Sequence, residues 1–137
     1  MKKMMNTVFI YFALAMAAGV FYREFTKFNG FVGNTTLGLV HGHLLALGVI
    51  LFIILMIINK VANIEDQKQF KRFFILYNIS LPLMAVMMIV RGVTQVLAIE
   101  LTKGMSAAIS GIAGVAHIGI MIALIMLLIS VKKVFVK

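Results

Sequence analysis

The sequence predicts an all-α polytopic membrane protein: four transmembrane helices bundled in a single domain. Three observations predict it. Of 137 residues, 63% are hydrophobic and only 12% charged, too few charges to cover the surface of a soluble domain of this length. The apolar residues fall in four runs, about 4–22, 36–59, 73–101 and 105–131, each reaching the ~20 residues that cross roughly 30 Å of hydrocarbon. Basic residues gather where the runs end.

The first run, Met4–Tyr22, follows Lys2 and Lys3 and so resembles a secretory leader. Ala17-Ala18-Gly19 nevertheless continues straight into Val20-Phe21-Tyr22, longer than a leader's apolar core, which predicts a retained helix. An outer connection, Arg23–Thr35, carries Asn29-Gly30 and Gly33-Asn34 as turn signals. The second run, Thr36–Asn59, leads into the polar, partly helical stretch Lys60–Arg72. Phe73–Leu101 forms the third run and Met105–Val131 the fourth, joined by a tight turn at Lys103-Gly104.

Orientation follows from the lysines and arginines. Lys2, Lys3, Lys60, Lys68, Lys71, Arg72, Lys132, Lys133 and Lys137 fall on one side; Arg23, Lys27 and Lys103 fall on the other. The positive-inside rule makes both termini cytoplasmic in a bacterial plasma membrane. The net charge of +9 is therefore a topology signal and a contact with anionic lipid, and no nucleic-acid partner is expected. The absence of cysteine excludes disulfides, thiolate metal sites, iron–sulfur clusters and covalently attached haem.

Function is expected where polar groups enter the apolar runs. The three histidines are His41, His43 and His117, and all lie inside such runs. Helical rise puts His41 and His43 roughly 8–13 Å below the outer end of their span, Arg91 about 15 Å, Gln95 about 9 Å and His117 roughly 18 Å. Ionisable groups at such depth are rare and mark a task or a partner. Residues two apart on a helix differ by about 200° in direction, so His41 and His43 face opposite sides and cannot share one metal. Arg91 and Gln95, four apart, share a face that Met84 and Met87 continue inward, as thioether ligands or as packing.

Small residues accompany the histidines. Gly38 and Gly48 flank His41, and Ala107/Gly111 with Ser110/Gly114 precede His117 at small-xxx-small spacing. Such spacing signals close helix packing more than room for a flat macrocycle. Zinc would want four convergent ligands, and a hard cation would want buried carboxylates; neither is present. Haem b needs one or two imidazoles, an apolar slot and a basic partner for its propionates. The candidate ligands of such a haem or metal are His41, His43 and His117. Arg91 would anchor propionates, helped by Gln95 or Arg23.

The segments Gly19–Phe28, Val40–Gly48, Val90–Val96 and Ala108–His117 resemble a family of small four-span bacterial membrane proteins without an assigned activity. That resemblance covers essentially the whole chain and implies the architecture alone. In addition, His41-Gly-His43 followed by an apolar stretch and glycine is similar to the haem-ligating helix of haem–copper oxidases and their nitric-oxide-related kin. Twelve core helices there form three arcs of four, and the motif's two histidines hold different haems. The resemblance implies that this chain is one arc of a homo-oligomer, a trimer by analogy, with haems between subunits. No His-His pair or His-Tyr crosslink motif is present, so no copper centre or oxygen reduction is implied.

The expectation is a b-type haem protein of electron transfer, gas sensing or haem handling, without an assigned enzymatic reaction. Two rivals stand beside it. One is a small transporter or channel with the histidines as a proton or metal pathway. The other is a structural subunit of a larger membrane complex, its histidines bonding helix to helix.

Overall fold

The computed structural model describes residues 1–136, so the Lys137 included in the charge argument lies outside the described residues. Four helices are long and apolar enough to cross a membrane: α1 (Lys2–Phe28), α2 (Leu37–Ala62), α3 (Lys68–Val96) and α4 (Lys103–Phe135). No strand occurs among the described residues.

Helix ends differ from the hydropathy boundaries for identifiable reasons. α1 runs past Tyr22 to Phe28, where Gly30 at φ +58° closes it. Phe31 N–H then bonds to Thr26 O at 2.9 Å and Gly30 N–H to Lys27 O at 3.1 Å, a left-handed glycine stop. α3 stops at Val96, five residues before the apolar run does. The same reversal is made there by Ala98 at φ +49°, with Ile99 N–H on Thr94 O and Ala98 N–H on Gln95 O. A residue with a Cβ rarely adopts that conformation, so nothing in Leu97-Ala98-Ile99 advertised a turn. Thr102 then caps α4, its hydroxyl accepting from Met105 N–H at 3.2 Å.

The expected loop Lys60–Arg72 shrinks to Asn63–Gln67. α2 continues to Ala62 and ends on left-handed Asn63, and a 3₁₀ turn, Ile64–Asp66, leads into α3. Ile64 is fully buried, plugging that end of the bundle. Asn59 Oδ1 accepts Glu65 N–H at 2.9 Å.

α2 is not uniform. Between α-helical Leu37–His43 and Leu51–Ala62 it widens to a π-helix, Leu44–Ile50. The Tyr77 hydroxyl of α3 donates to Leu47 O in that stretch, at 3.0 Å. Such segments recur at functional sites.

The helices pack in chain order. α1 lies along α2, the first half of α2 lies against α3, and α4 lies along α3 with a further touch on the 3₁₀ turn. At the lysine-rich end the core is aromatic. Phe52 has ring centroids 5.8–6.3 Å from those of Tyr11, Phe73, Phe74 and Tyr77. At the opposite end small residues admit close approach. A side chain at Gly92 of α3 would strike Leu37, and nearer the middle of the bundle one at Gly119 of α4 would strike Ser80 of α3.

The α4 stripe departs from expectation. A methyl group on Gly111 or Gly114 would meet nothing within 4 Å. Within one chain these glycines serve no helix packing, and α4 turns much of its circumference outward.

Candidate functional site

Each histidine is set by its own helix. His41 is partly buried and turned toward α1, where a methyl group on Gly19 would stand 3.7 Å from the His41 Cβ. His41 Nδ1 is buried without a hydrogen-bond partner among the described residues, a condition that costs about 1–3 kcal/mol unless something fills it. His43, on the opposite side of α2, is partly buried, and its Nδ1 lies 2.8 Å from Leu39 O. His117 is exposed on α4, with Nδ1 2.7 Å from Ala113 O.

Those last two contacts define the chemistry. A carbonyl oxygen can only accept, so Nδ1 is the donor in both rings, and in a neutral imidazole that leaves the lone pair on Nε2. Tying one ring nitrogen to a backbone carbonyl is how ligating histidines are held in orientation and tautomer.

Arg91 bridges α3 and α4, its Nη2 donating to Ser110 Oγ at 2.7 Å. No carboxylate pairs with it: the ion pairs among the described residues are Met1–Glu65 and Arg23–Glu24. His117 follows Ser110 by seven residues, which places it on the same face of α4, about 10 Å farther in. The Leu37–Gly92 contact sets Arg91 level with Gly38, and His43 about 7–8 Å deeper. The Gly119–Ser80 contact sets His117 roughly one turn deeper than His43.

The three histidines are thus separate. No group of three or more His, Asp or Glu among the described residues could hold a metal ion. One chain does not gather His41, His43 and His117 around a single ion, consistent with the opposite directions of His41 and His43.

Gln95 has a structural task. Its Oε1 accepts from Thr36 N–H at 2.9 Å, Thr36 Oγ1 at 3.0 Å and Thr35 Oγ1 at 3.1 Å, pinning the start of α2 to the end of α3. Only its amide N–H remains for a ligand. Arg23 is an exposed residue at the end of the bundle opposite the lysine-rich end, its Nε 3.8 Å from Glu24 Oε1. Met84 and Met87 are both buried, Met84 within the hydrophobic core of the bundle.

Sequence reasoning did not single out Tyr11, Tyr77 and Asn78. The Tyr11 hydroxyl donates to Asn78 Oδ1 at 3.0 Å, clasping α1 to α3 across the core. Polar atoms at helical spacing within apolar runs were the available signal.

Residues 1–134 match the family model described as "Protein of unknown function (DUF2871)". No curated protein and no solved structure matches the chain.

Proposed function

We propose that this chain, which belongs to the DUF2871 family, is a membrane subunit that binds b-type haem through the histidines of its apolar helices. The observation that carries the reading is the pair of prepared imidazoles. His43 and His117 each spend Nδ1–H on a carbonyl of their own helix, leaving Nε2 free as a metal ligand. His41, with a buried and unpartnered Nδ1, is the third candidate.

Arg91 supports the same reading. A guanidinium at membrane depth without a carboxylate partner matches a propionate, which accepts two parallel charge-assisted hydrogen bonds. Gln95 would contribute at most its free amide N–H, and Arg23 a cation at the rim. When bound, haem would supply one-electron chemistry or an open iron position for a diatomic gas, depending on whether two imidazoles or one ligate it.

An exposed histidine in hydrocarbon is costly. Haem edges and the small-residue face of α4 would therefore be covered by further copies of the chain, as a trimer in the three-arc analogy. In this reading the lysine-rich end faces the cytoplasm, and the histidines serve the outer half of a bacterial plasma membrane.

The test is an absorption spectrum of protein purified in mild detergent from haem-replete cells, oxidised and then reduced with dithionite. The expected result is a Soret band with sharp reduced α and β bands, lost on replacing the ligating histidine with glutamine. A protein that stays colourless after haem reconstitution overturns the proposal.

A further inference from the structure

At the lysine-rich end, far from the histidines, a cleft of about 580 Å³ opens between the starts of α1 and α3. Lys2, Lys3 and Lys71 stand around it, while Met4, Phe70 and Phe74 form its apolar floor. Glu65 and Asp66 share the rim. Glu65 is already engaged by the Met1 amino group at 2.6 Å, and that hydrogen bond holds its carboxyl below the usual range. Three lysines and one carboxylate outside any ion pair, Asp66, therefore line an open apolar hollow.

The hollow continues along the seam as a divided groove. Ile75 lines its deeper part, and three residues farther along α3 the Tyr11–Asn78 hydrogen bond closes it. Beyond that clasp the same two helices, with Leu44 of α2, form a second cleft of about 390 Å³, lined wholly by apolar residues that include Leu14, Phe21, Pro82 and Ile89.

We propose that the first cleft is a binding site for an anionic phospholipid. The lysines would take the phosphodiester head group, and an acyl chain would lie along Phe74 and Ile75. Basic side chains at a membrane boundary attract anionic heads, yet by themselves they select no site. An apolar gap by itself selects no charge. The two features meet in one concavity, and an amphiphile with a negative head satisfies both.

Native mass spectrometry of the full chain in detergent tests this, comparing phosphatidylglycerol and phosphatidylcholine with identical acyl chains. Phosphatidylglycerol is expected to be retained about tenfold more strongly. The triple variant Lys2→Ala, Lys3→Ala, Lys71→Ala should bring it down to the phosphatidylcholine level, and Lys71→Gln alone should give part of that loss.

Ile75→Trp should also reduce retention, because the indole fills the cleft without altering charge; Ile75 is 64% exposed, so the core is spared. Lys132→Ala with Lys133→Ala, at the end of α4 and outside the cleft, should change nothing. Circular dichroism verifies folding of every variant. Equal retention of the two lipids, indifference to Ile75→Trp, or an equal loss in the Lys132/Lys133 variant would each overturn the proposal. Displacement by glycerol 3-phosphate at the lipid's own concentration would also overturn it, showing a site for free anions.

Discussion

The two ends of the bundle are built on different principles. Toward the lysine-rich end, Tyr11, Phe52, Phe73 and Tyr77 fill the space between α1, α2 and α3 with aromatic rings. Toward the other end the helices meet at Gly92 or through polar links, Gln95 with Thr35 and Thr36 and Arg91 with Ser110. The difference teaches a division of labour. Large buried side chains concentrate cohesion in one half, freeing the other to carry ionisable groups whose placement contributes little to stability.

The comparison breaks if damage to the aromatic half is mild. Phe52→Ala removes the ring that four others contact, and a loss of about 3–5 kcal/mol is expected, read by denaturant titration in mixed micelles. Next in size is Gly119→Val, which forces α4 away from Ser80; overpacking of this kind costs about 1–3 kcal/mol. Gly111→Val is its control and should leave the stability of the single chain nearly unchanged, since nothing lies within 4 Å of the Cβ position from which the valine branches. A change in assembled mass caused by Gly111→Val alone would locate the subunit contact on that face.

Gln95→Ala sharpens the contrast from the polar side. It leaves the start of α2 without its acceptor, and about 1–2 kcal/mol should be lost, with hydrogen exchange rising first at Thr35–Leu37. Smallest of all are His43→Gln and His117→Gln. Each should shift unfolding by no more than ~0.6 kcal/mol while abolishing any haem spectrum that the replaced ring supports. Large destabilisation by either histidine variant would mean that both ends hold the fold together.

Much of this was legible in the residues. Four apolar runs and their charged flanks specify the helices, and the helical period alone separates His41 from His43. The end of α3 was not legible, because Ala98 takes a left-handed conformation that its neighbours do not announce. The π-stretch in α2 was hidden as well, since Leu44–Ile50 reads as uninterrupted helix. The direction of His117 depends on which face of α4 meets α3, a choice made by Ala116, Ile120, Ala123 and Leu127 together. Gln95 illustrates a further limit: its position is readable, but whether its carbonyl serves a ligand or a helix start is settled only by where Thr35 and Thr36 arrive.

The chain-order packing has a consequence for biosynthesis. Each helix rests on a predecessor already made, so the contacts that join the first three helices do not wait for the fourth. A nascent chain that has just passed Val96 already holds the whole aromatic cluster. α4 then arrives as a separate rod, bringing Ser110 to Arg91 and carrying His117 with it. Synthesis thus completes the cohesive half before the last ionisable side chain enters the membrane.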